Sequence, residues 1–286
     1  MSSPIDAAAR PAPRGRPRLS DHVGRPVELL ALLAALALGL PVLALILRAA
    51  ADGALPAAAR SPVVIDALVL SLVTTAVSLL LTLAVGIPLA FVLARRSFRG
   101  AALVETIVDL PIVLPPSVAG LALLLLLGRR GPLGEPLVAL GLQIPFTTLA
   151  VIAAQTFVAA PFFIRAARTG FAGVDRDLED AARVDGASER QLFTAITLPL
   201  ARSALGAGLV MCWARALGEF GATIMFAGNV AGRTQTLPLV VYGEFQGGDL
   251  EASVAAATIL VLAAFGVLAA VRLLHWGRAL DVRATT

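Results

Sequence analysis

The chain has 286 residues, of which 58% are hydrophobic and 15% charged, with a formal net charge of +4. A mean hydropathy of +0.87 lies far above the soluble balance, which excludes an ordinary water-soluble domain. The single cysteine, Cys212, excludes an intrachain disulfide, and the two histidines, His22 and His275, offer no metal-ligand spacing, so we expect neither a metal site nor catalytic residues.

The N-terminal part of the chain consists of a polar segment followed by an apolar one. Residues 1–27 are rich in Arg and Pro and are predicted to be a disordered cytoplasmic segment. The apolar run after them is too long for the core of a signal peptide. Residues 28–50 are therefore predicted to form a retained first transmembrane helix.

Uncharged stretches mark five helices that are long enough to cross a hydrocarbon core of about 30 Å. They are Leu29–Leu47, Ala67–Ala94, Leu110–Gly128, Pro136–Ile164 and Ala252–Val271. Pro88 in the second stretch and Pro111, Pro115 and Pro116 in the third are predicted to bend or unwind their helices. The alternative is that proline is simply more frequent in membrane helices than in soluble ones.

A sixth helix between the fourth stretch and the last must carry charge. Only twelve uncharged residues separate Arg202 from Arg215, too few to cross, so Arg215 and Glu219 are expected to enter the membrane. A central Arg costs about 2.5 to 3.5 kcal/mol on insertion scales, and Glu219, four residues on, is placed to pair with it. Two interpretations stay open: Arg215 lines a path for an anion, or the pair fixes helix packing.

The basic residues orient these helices. With the N-terminus inside, seventeen arginines fall on the inner side and five on the outer side, which predicts that both termini, including a tail at 273–286, are cytoplasmic. The outer five are Arg48, Arg60, Arg129, Arg130 and Arg233. Basic residues in this distribution favour lipid headgroups over nucleic acid as the partner. The charged segment 175–200 is then cytoplasmic as well.

Segment 175–200 is predicted to form two short helices joined at a glycine. Asp175 is placed to cap the first helix, whose acidic first turn complements the helix dipole. Gly186 supplies a turn, and Ser188 with Gln191 three residues later forms a capping box that starts the second helix. Pro199 leads into the next span. The result is a helix–Gly–helix platform displayed beneath the membrane.

The platform resembles the cytoplasmic signature of ABC-importer permeases, which reads E-A-A, three residues, G, nine residues, I-x-L-P. The matching positions, with their spacing kept, are Asp180, Ala181, Ala182, Gly186, Ile196, Leu198 and Pro199. Asp replaces Glu at the first position, but Glu179 stands beside it, so we expect the role of the carboxylate to be kept. The alternative is an amphipathic loop that binds nothing.

That resemblance implies a coupling helix that rests in a cleft of a separate ATPase subunit and passes ATP-driven closure to the membrane helices. The alanines would allow close approach, and Gly186 the sharp turn. All 23 basic residues are Arg, so a G-x-x-x-x-G-K-[ST] phosphate loop is excluded from this chain. We therefore expect the chain to be no enzyme and to bind no cofactor, with ATP used by the partner.

The end of the helix that carries Arg215, together with the residues after it, resembles the molybdate-type branch of oxyanion permeases. The match is carried by RALGEFGAT from Arg215 to Thr223, by the following Gly228-Asn229, Gly232 and TQTLP, and by the third-span segment Asp109–Gly134. The resemblance covers Asp66–Arg272 and implies a type I ABC importer transmembrane domain over residues 66–272. As a hypothesis, the residues of the translocation path are Arg215, Glu219, Phe220, Gly221 and Thr223.

Membership of that branch implies a multi-pass protein of the bacterial plasma (inner) membrane that pairs as a homodimer. Its further partners would be two copies of an ABC ATPase subunit and an extracytoplasmic oxyanion-binding protein. Tungstate, sulfate or thiosulfate, and phosphate remain alternatives to molybdate as the substrate. A different class is a secondary transporter, which would more often carry a mid-membrane relay or inverted repeats, neither of which is evident.

Overall fold

The computed structural model describes residues 25–284, with side chains from 27 to 269. Within that range the chain forms thirteen α-helices and no strand. It divides into two compact units with a boundary after Leu47. Residues 1–24 of the predicted disordered segment lie outside the described residues, and Arg25 already begins the first helix, which contains the predicted span 28–50.

Five helices are long and apolar enough to cross a membrane, and counting one bent pair of helices as a single broken span gives six. The described helices confirm the predicted all-α architecture. The spans are α1 (Arg25–Ala51), α3 (Pro62–Arg95), the pair α4 (Ala101–Val113) and α5 (Pro116–Leu127), α7 (Thr148–Ala172), α10 (Leu198–Leu217) and α13 (Leu250–Ala284). The shorter helices are α2 (Leu55–Ala58), α6 (Gly134–Ala139), α8 (Arg176–Val184), α9 (Glu189–Leu192), α11 (Gly221–Phe226) and α12 (Leu237–Gln246).

The third span differs from the continuous helix predicted over Leu110–Gly128. It begins nine residues earlier, at Ala101, and bends by 118° between α4 and α5. The consecutive prolines Pro115 and Pro116 cause the break, because neither supplies a backbone N–H and each disfavours a helical residue before it. Neither Pro88 nor Pro111 unwinds its helix, since α3 and α4 continue through them without interruption.

The fourth span also differs from its predicted range, Pro136–Ile164. A helix does begin near Pro136, but α6 ends at Ala139, and the spanning helix α7 starts only at Thr148 and continues to Ala172. Gly141 and Phe146 between them have positive φ angles of 78° and 60°, which ends any helix. The span therefore includes Arg165, which the hydropathy pattern had placed outside it.

Helix α7 lies between α3 and α10 at the centre of the second unit. It runs parallel to α3, since Gln155 lies beside Thr75 and Thr156 donates a 3.0 Å hydrogen bond to Ser78. Helix α10 returns antiparallel and packs closely, because a Cβ on Gly208 would lie 2.7 Å from the Cβ of Ala166. Small and hydroxyl residues at helix contacts are typical of membrane interfaces. This packing places the start of α10 beside the end of α7.

Candidate functional site

The platform, residues 175–200, has the local structure that the sequence predicts. The Oδ1 of Asp175 accepts a 3.0 Å hydrogen bond from the backbone N–H of Asp177 and caps α8. Gly186 has a φ of +87° and separates α8 from α9. Ser188 and Gln191 form the complete capping box. These three predictions are confirmed, and a π-helical turn at Phe193–Thr197 then joins α9 to α10.

The two adjacent carboxylates of the platform lie in opposite environments. The Glu179 side chain is 6% exposed, and its Oε1 accepts hydrogen bonds of 2.7 Å from both Arg95 and Thr197. The Asp180 side chain is 69% exposed and pairs with Arg183 on its own helix at 2.7 Å. The carboxylate aligned with the family signature therefore faces solvent, whereas its neighbour is buried.

An apolar face of α8 is exposed. Leu178 is 51% exposed and Val184 is 87% exposed, and the exposed Ala181 lies between them. Their spacing of three residues places them on one side of the helix. Ala182, by contrast, is half-buried. Sequence reasoning assigned the alanines to this surface and missed the two larger residues, although the i, i+3, i+6 spacing predicts them.

The remaining signature residues lie where the platform enters the membrane helix. Ile196 is in the π-helical turn and is half-buried, while Leu198 and Pro199 occupy the first two positions of α10. Proline is well placed there, because the first turn of a helix needs no N–H from it. Thr197 between them is fully buried. Ile196, Thr197 and Leu198 therefore connect the platform to α10, whereas Pro199 is exposed.

The exposed edge of the platform carries a second ion pair. Arg183 Nε lies 2.7 Å from Glu189 Oε1 and so links α8 to α9 across the Gly186 turn. The hydrogen bond that Arg183 donates to the Glu189 carboxylate lowers the pKa of Glu189 below its usual range and raises the pKa of the Arg183 guanidinium. Because both groups are open to solvent, the pair is expected to stabilise the turn only weakly.

The predicted pair of Arg215 and Glu219 is confirmed, but the two residues do not belong to one helix. Arg215 Nη1 lies 2.6 Å from Glu219 Oε2, a charge contact that lacks the alignment of a hydrogen bond. Helix α10 ends at Leu217, so Glu219 lies in the break before α11. Its Oε1 accepts a 2.7 Å hydrogen bond from Ala222 N–H. Glu219 therefore both holds Arg215 and caps the next helix.

Two helix breaks meet beside this pair. A Cβ on Gly221 would lie 2.9 Å from the Cβ of Pro116, and one on Gly120 would lie 2.6 Å from the carbonyl oxygen of Ala222. The first turns of α5 and α11 are thus in contact, and such turns leave N–H groups without intrahelical partners. Ser117 in the first turn of α5 is exposed. We call residues 114–117 and 218–221 together the double break.

The other predicted path residues lie around the double break in different settings. Phe220 is half-buried and stacks on Tyr242 of α12, with ring centroids 4.9 Å apart. Thr223 is fully buried, and its Oγ1 has no hydrogen-bond partner among the described residues. Arg215 is the charged member that reaches a surface, with 27% of its side chain exposed. The structure thus brings the five residues together.

A further charged cluster, which sequence reasoning missed, lies near the C-terminal end of α7. Arg168 pairs with Glu105 of α4 at 2.8 Å, and Arg165 lies 3.7 Å from Asp109. The four residues line a cavity of about 340 Å³. Their spacing of three and four residues is a signal only on a helix, and all four residues lie just outside the predicted stretches Leu110–Gly128 and Pro136–Ile164. Only the contact between α4 and α7 could show that the two pairs meet.

Comparisons with known proteins agree on one family. The family model described as "Binding-protein-dependent transport system inner membrane component" matches residues 86–276. The molybdenum transport system permease protein ModB of Escherichia coli K12 is 40% identical over 199 residues, 69% of this chain and 87% of its own. The ModB of Haemophilus influenzae is 43% identical over 64% of this chain and 80% of its own.

A third relative and two solved structures complete the comparison. The probable transport system permease protein NifC of Clostridium pasteurianum is 39% identical over 73% of each chain. A bacterial ABC transporter that imports alginate has a TM-score of 0.70 at 20% identity, over 88% of this chain and 95% of its own. The methionine ABC transporter MetNI has a TM-score of 0.59 at 20% identity, over 78% and 96%. The likeness confirms the predicted fold.

Proposed function

The chain belongs to the family of binding-protein-dependent transport system inner membrane components, and on that premise we propose that it is the permease of an ATP-driven molybdate importer. It is a multi-pass protein of the plasma membrane. Both termini are assigned to the cytoplasm, in keeping with the distribution of arginines. The chain supplies the path and the coupling surface, and partner subunits supply ATP hydrolysis and capture of the substrate.

The assignment of an oxyanion substrate rests on the relatives and on one charge. Molybdenum permeases share about 40% of their residues with this chain over most of their own length. Arg215, inside a membrane-spanning helix, adds a positive potential of the sign that a dianion requires. Contacts along the path should be weak, because a tight site would hold the ion. Selection of molybdate over similar ions is therefore assigned mainly to the binding protein.

The path is proposed to run along the exposed side of the double break. Arg215 is 27% exposed in a single chain, and a charged side chain in the membrane cannot face lipid cheaply. The exposed first turn of α5 is likewise costly in lipid, because its free N–H groups need polar partners. We propose that a second copy of the chain covers this side and that the anion passes between the two copies.

The platform is proposed to dock on a separate ABC ATPase. The apolar face of Leu178, Ala181 and Val184 is exposed, whereas Glu179 of the same helix is buried against Arg95 of α3. An exposed apolar strip rimmed by charges is typical of a protein interface. The chain has no Lys and therefore no phosphate loop of its own, so ATP is assigned to the partner and no cofactor to this chain.

Competition between anions tests the proposed substrate. The chain would be reconstituted in proteoliposomes with its ATPase and with ATP inside, and uptake of radiolabelled molybdate would be measured with the loaded binding protein outside. Tungstate, a dianion of the same shape, should compete, whereas sulfate and phosphate at the same concentration should not. Equal competition by sulfate would contradict the molybdate assignment and favour a sulfate importer. Uptake that needs no ATPase would favour a secondary transporter.

A further inference from the structure

We infer that Arg95, Glu179 and Thr197 form a lock that makes the platform move as one body with the cytoplasmic ends of α3 and α10. Glu179 is then a positioning residue for coupling, distinct from the exposed surface that meets the ATPase. The inference rests on the proposed function, because it concerns how movement of the platform reaches the membrane helices. It assigns a role to a residue that the family signature places only next to its first position.

The lock joins three separate elements through one carboxylate oxygen. Arg95 Nη2, at the end of α3, donates to Glu179 Oε1 at 2.7 Å and to the carbonyl oxygen of Val174 at 3.2 Å. Thr197 Oγ1, in the turn before α10, donates to the same Oε1 at 2.7 Å. The Arg95 and Glu179 side chains are only 9% and 6% exposed. A displacement of α8 therefore has to carry α3 and α10 with it or separate a buried ion pair.

Separation of this pair is strongly disfavoured by its burial. A buried carboxylate that loses its partner remains as an uncompensated charge, which costs far more than the loss of a surface pair. A hydrogen bond to a charged group is also stronger than a neutral one, so Thr197 adds to the same restraint. The lock is therefore expected to stay closed while the platform moves.

Aromatic packing beneath the lock joins the same elements. Phe91 of α3 stacks edge-on against Phe171 of α7, with ring centroids 5.6 Å apart, and against Phe193 of the π-helical turn at 5.0 Å. Phe171 and Phe193 lie 6.1 Å apart. Such pairs favour tilted and edge-to-face geometry, so the three rings resist sliding of one element past another. The polar lock and the aromatic cluster thus act on one rigid block.

The platform provides a matched comparison within itself. Glu189 also binds an arginine at 2.7 Å, but its side chain is 74% exposed and its partner, Arg183, belongs to the platform. Loss of that pair leaves the connection to α3 untouched. Glu179→Gln and Glu189→Gln therefore make the same chemical change in a buried pair between elements and in an exposed pair within one.

The test uses proteoliposomes that hold the complete complex, with the loaded binding protein outside, and measures ATP hydrolysis and molybdate uptake in the same sample. Glu179→Gln is expected to lower uptake at least about tenfold while hydrolysis stays within about twofold and loses its stimulation by the loaded binding protein. Glu189→Gln is expected to leave the ratio of uptake to hydrolysis within about twofold of the wild-type ratio, because the link from the platform to α3 stays intact. Arg95→Gln should reproduce the uncoupling.

Three outcomes contradict either the inference or the proposed function on which it rests. A normal ratio of uptake to hydrolysis in Glu179→Gln overturns the lock, and so does a parallel fall in both rates, because that reports damage without uncoupling. Should Glu179→Gln fail to reach the membrane, Thr197→Val decides, with uptake per ATP expected to fall roughly two- to fivefold through loss of one charge-assisted hydrogen bond. Absence of ATP-driven uptake in the wild-type complex would instead contradict the proposed function.

Discussion

Glu179 and Glu219 are both buried carboxylates paired with arginine, yet they connect very different parts of the molecule. Glu179 binds Arg95, which is 84 residues away on another helix, whereas Glu219 binds Arg215 four residues before it. The first contact ties the platform to the membrane helices. The second contact stabilises the break between α10 and α11 and fixes the position of the Arg215 guanidinium. One pair is therefore suited to carrying movement, and the other to setting the local potential.

The largest expected effect comes from breaking the local pair. Arg215→Gln would leave Glu219, which is 1% exposed, as a buried charge without its partner, at a cost of about 3 to 5 kcal/mol. The thermal stability of the purified protein in detergent should fall, and molybdate uptake should fall with it. Both would be measured on equal amounts of protein.

The double variant Arg215→Gln with Glu219→Gln separates the two roles of the pair. It removes both charges, so the stability should largely return. If Arg215 contributes to the path, uptake stays low although the protein is stable again. Recovery of uptake together with stability would show that the pair serves packing alone and would remove the charge from the proposed path.

Close packing at the double break gives the next largest effect. In Gly120→Ala the new Cβ would lie 2.6 Å from the carbonyl oxygen of Ala222, so α5 and α11 would have to separate, at a cost of about 1 to 3 kcal/mol. The melting temperature of the protein in detergent should drop. Gly266→Ala in α13 is the control, because its Cβ meets nothing within 4 Å among the described residues and it should not lower the melting temperature.

A substitution at Gly186 is expected to act through the backbone conformation of the turn and not through steric crowding. Gly186 has a φ of +87°, and the described residues leave open space around the position of its Cβ. Gly186→Val would cost about 1 to 2 kcal/mol because a side chain disfavours the left-handed region, and uptake is expected to fall roughly tenfold with the protein still in the membrane. Gly186→Asn, which tolerates that region, should keep most of the uptake. Wild-type uptake in Gly186→Val would argue against a role for the turn.

The smallest effect is expected at the exposed edge of the platform. Arg183 pairs with Asp180 and Glu189, but all three side chains are at least two-fifths exposed. Arg183→Gln should lower stability by less than about 1 kcal/mol and change uptake by less than about twofold. A drop as large as that of Arg215→Gln would mean that exposure is a poor guide to which pairs matter here.

The platform was predictable from sequence because its structure is local. A cap at Asp175, a glycine at 186 and a capping box at Ser188 each act within four residues, and all three are confirmed. The family signature added its place in the assembly. It could not distinguish Glu179 from Asp180, because burial depends on Arg95, which lies far away in the sequence.

The membrane helices were predictable in number but not in their limits. Hydropathy responds to uncharged length, so it joined Pro136 to the helix that begins at Thr148 and stopped at Arg165, although that helix continues to Ala172. The positions of the prolines, in turn, predicted a break or bend at Pro88 as well as at Pro115. Only Pro115, followed by a second proline, removes enough backbone donors to end a helix.

The dependence of uptake on ATP tests the central claim most directly. Radiolabelled molybdate uptake would be followed in proteoliposomes that contain the chain alone, the chain with its ATPase, or both with the binding protein outside, each with and without ATP inside. The account predicts accumulation only when all three proteins and ATP are present. Accumulation by the chain alone, driven by an ion gradient, would contradict it.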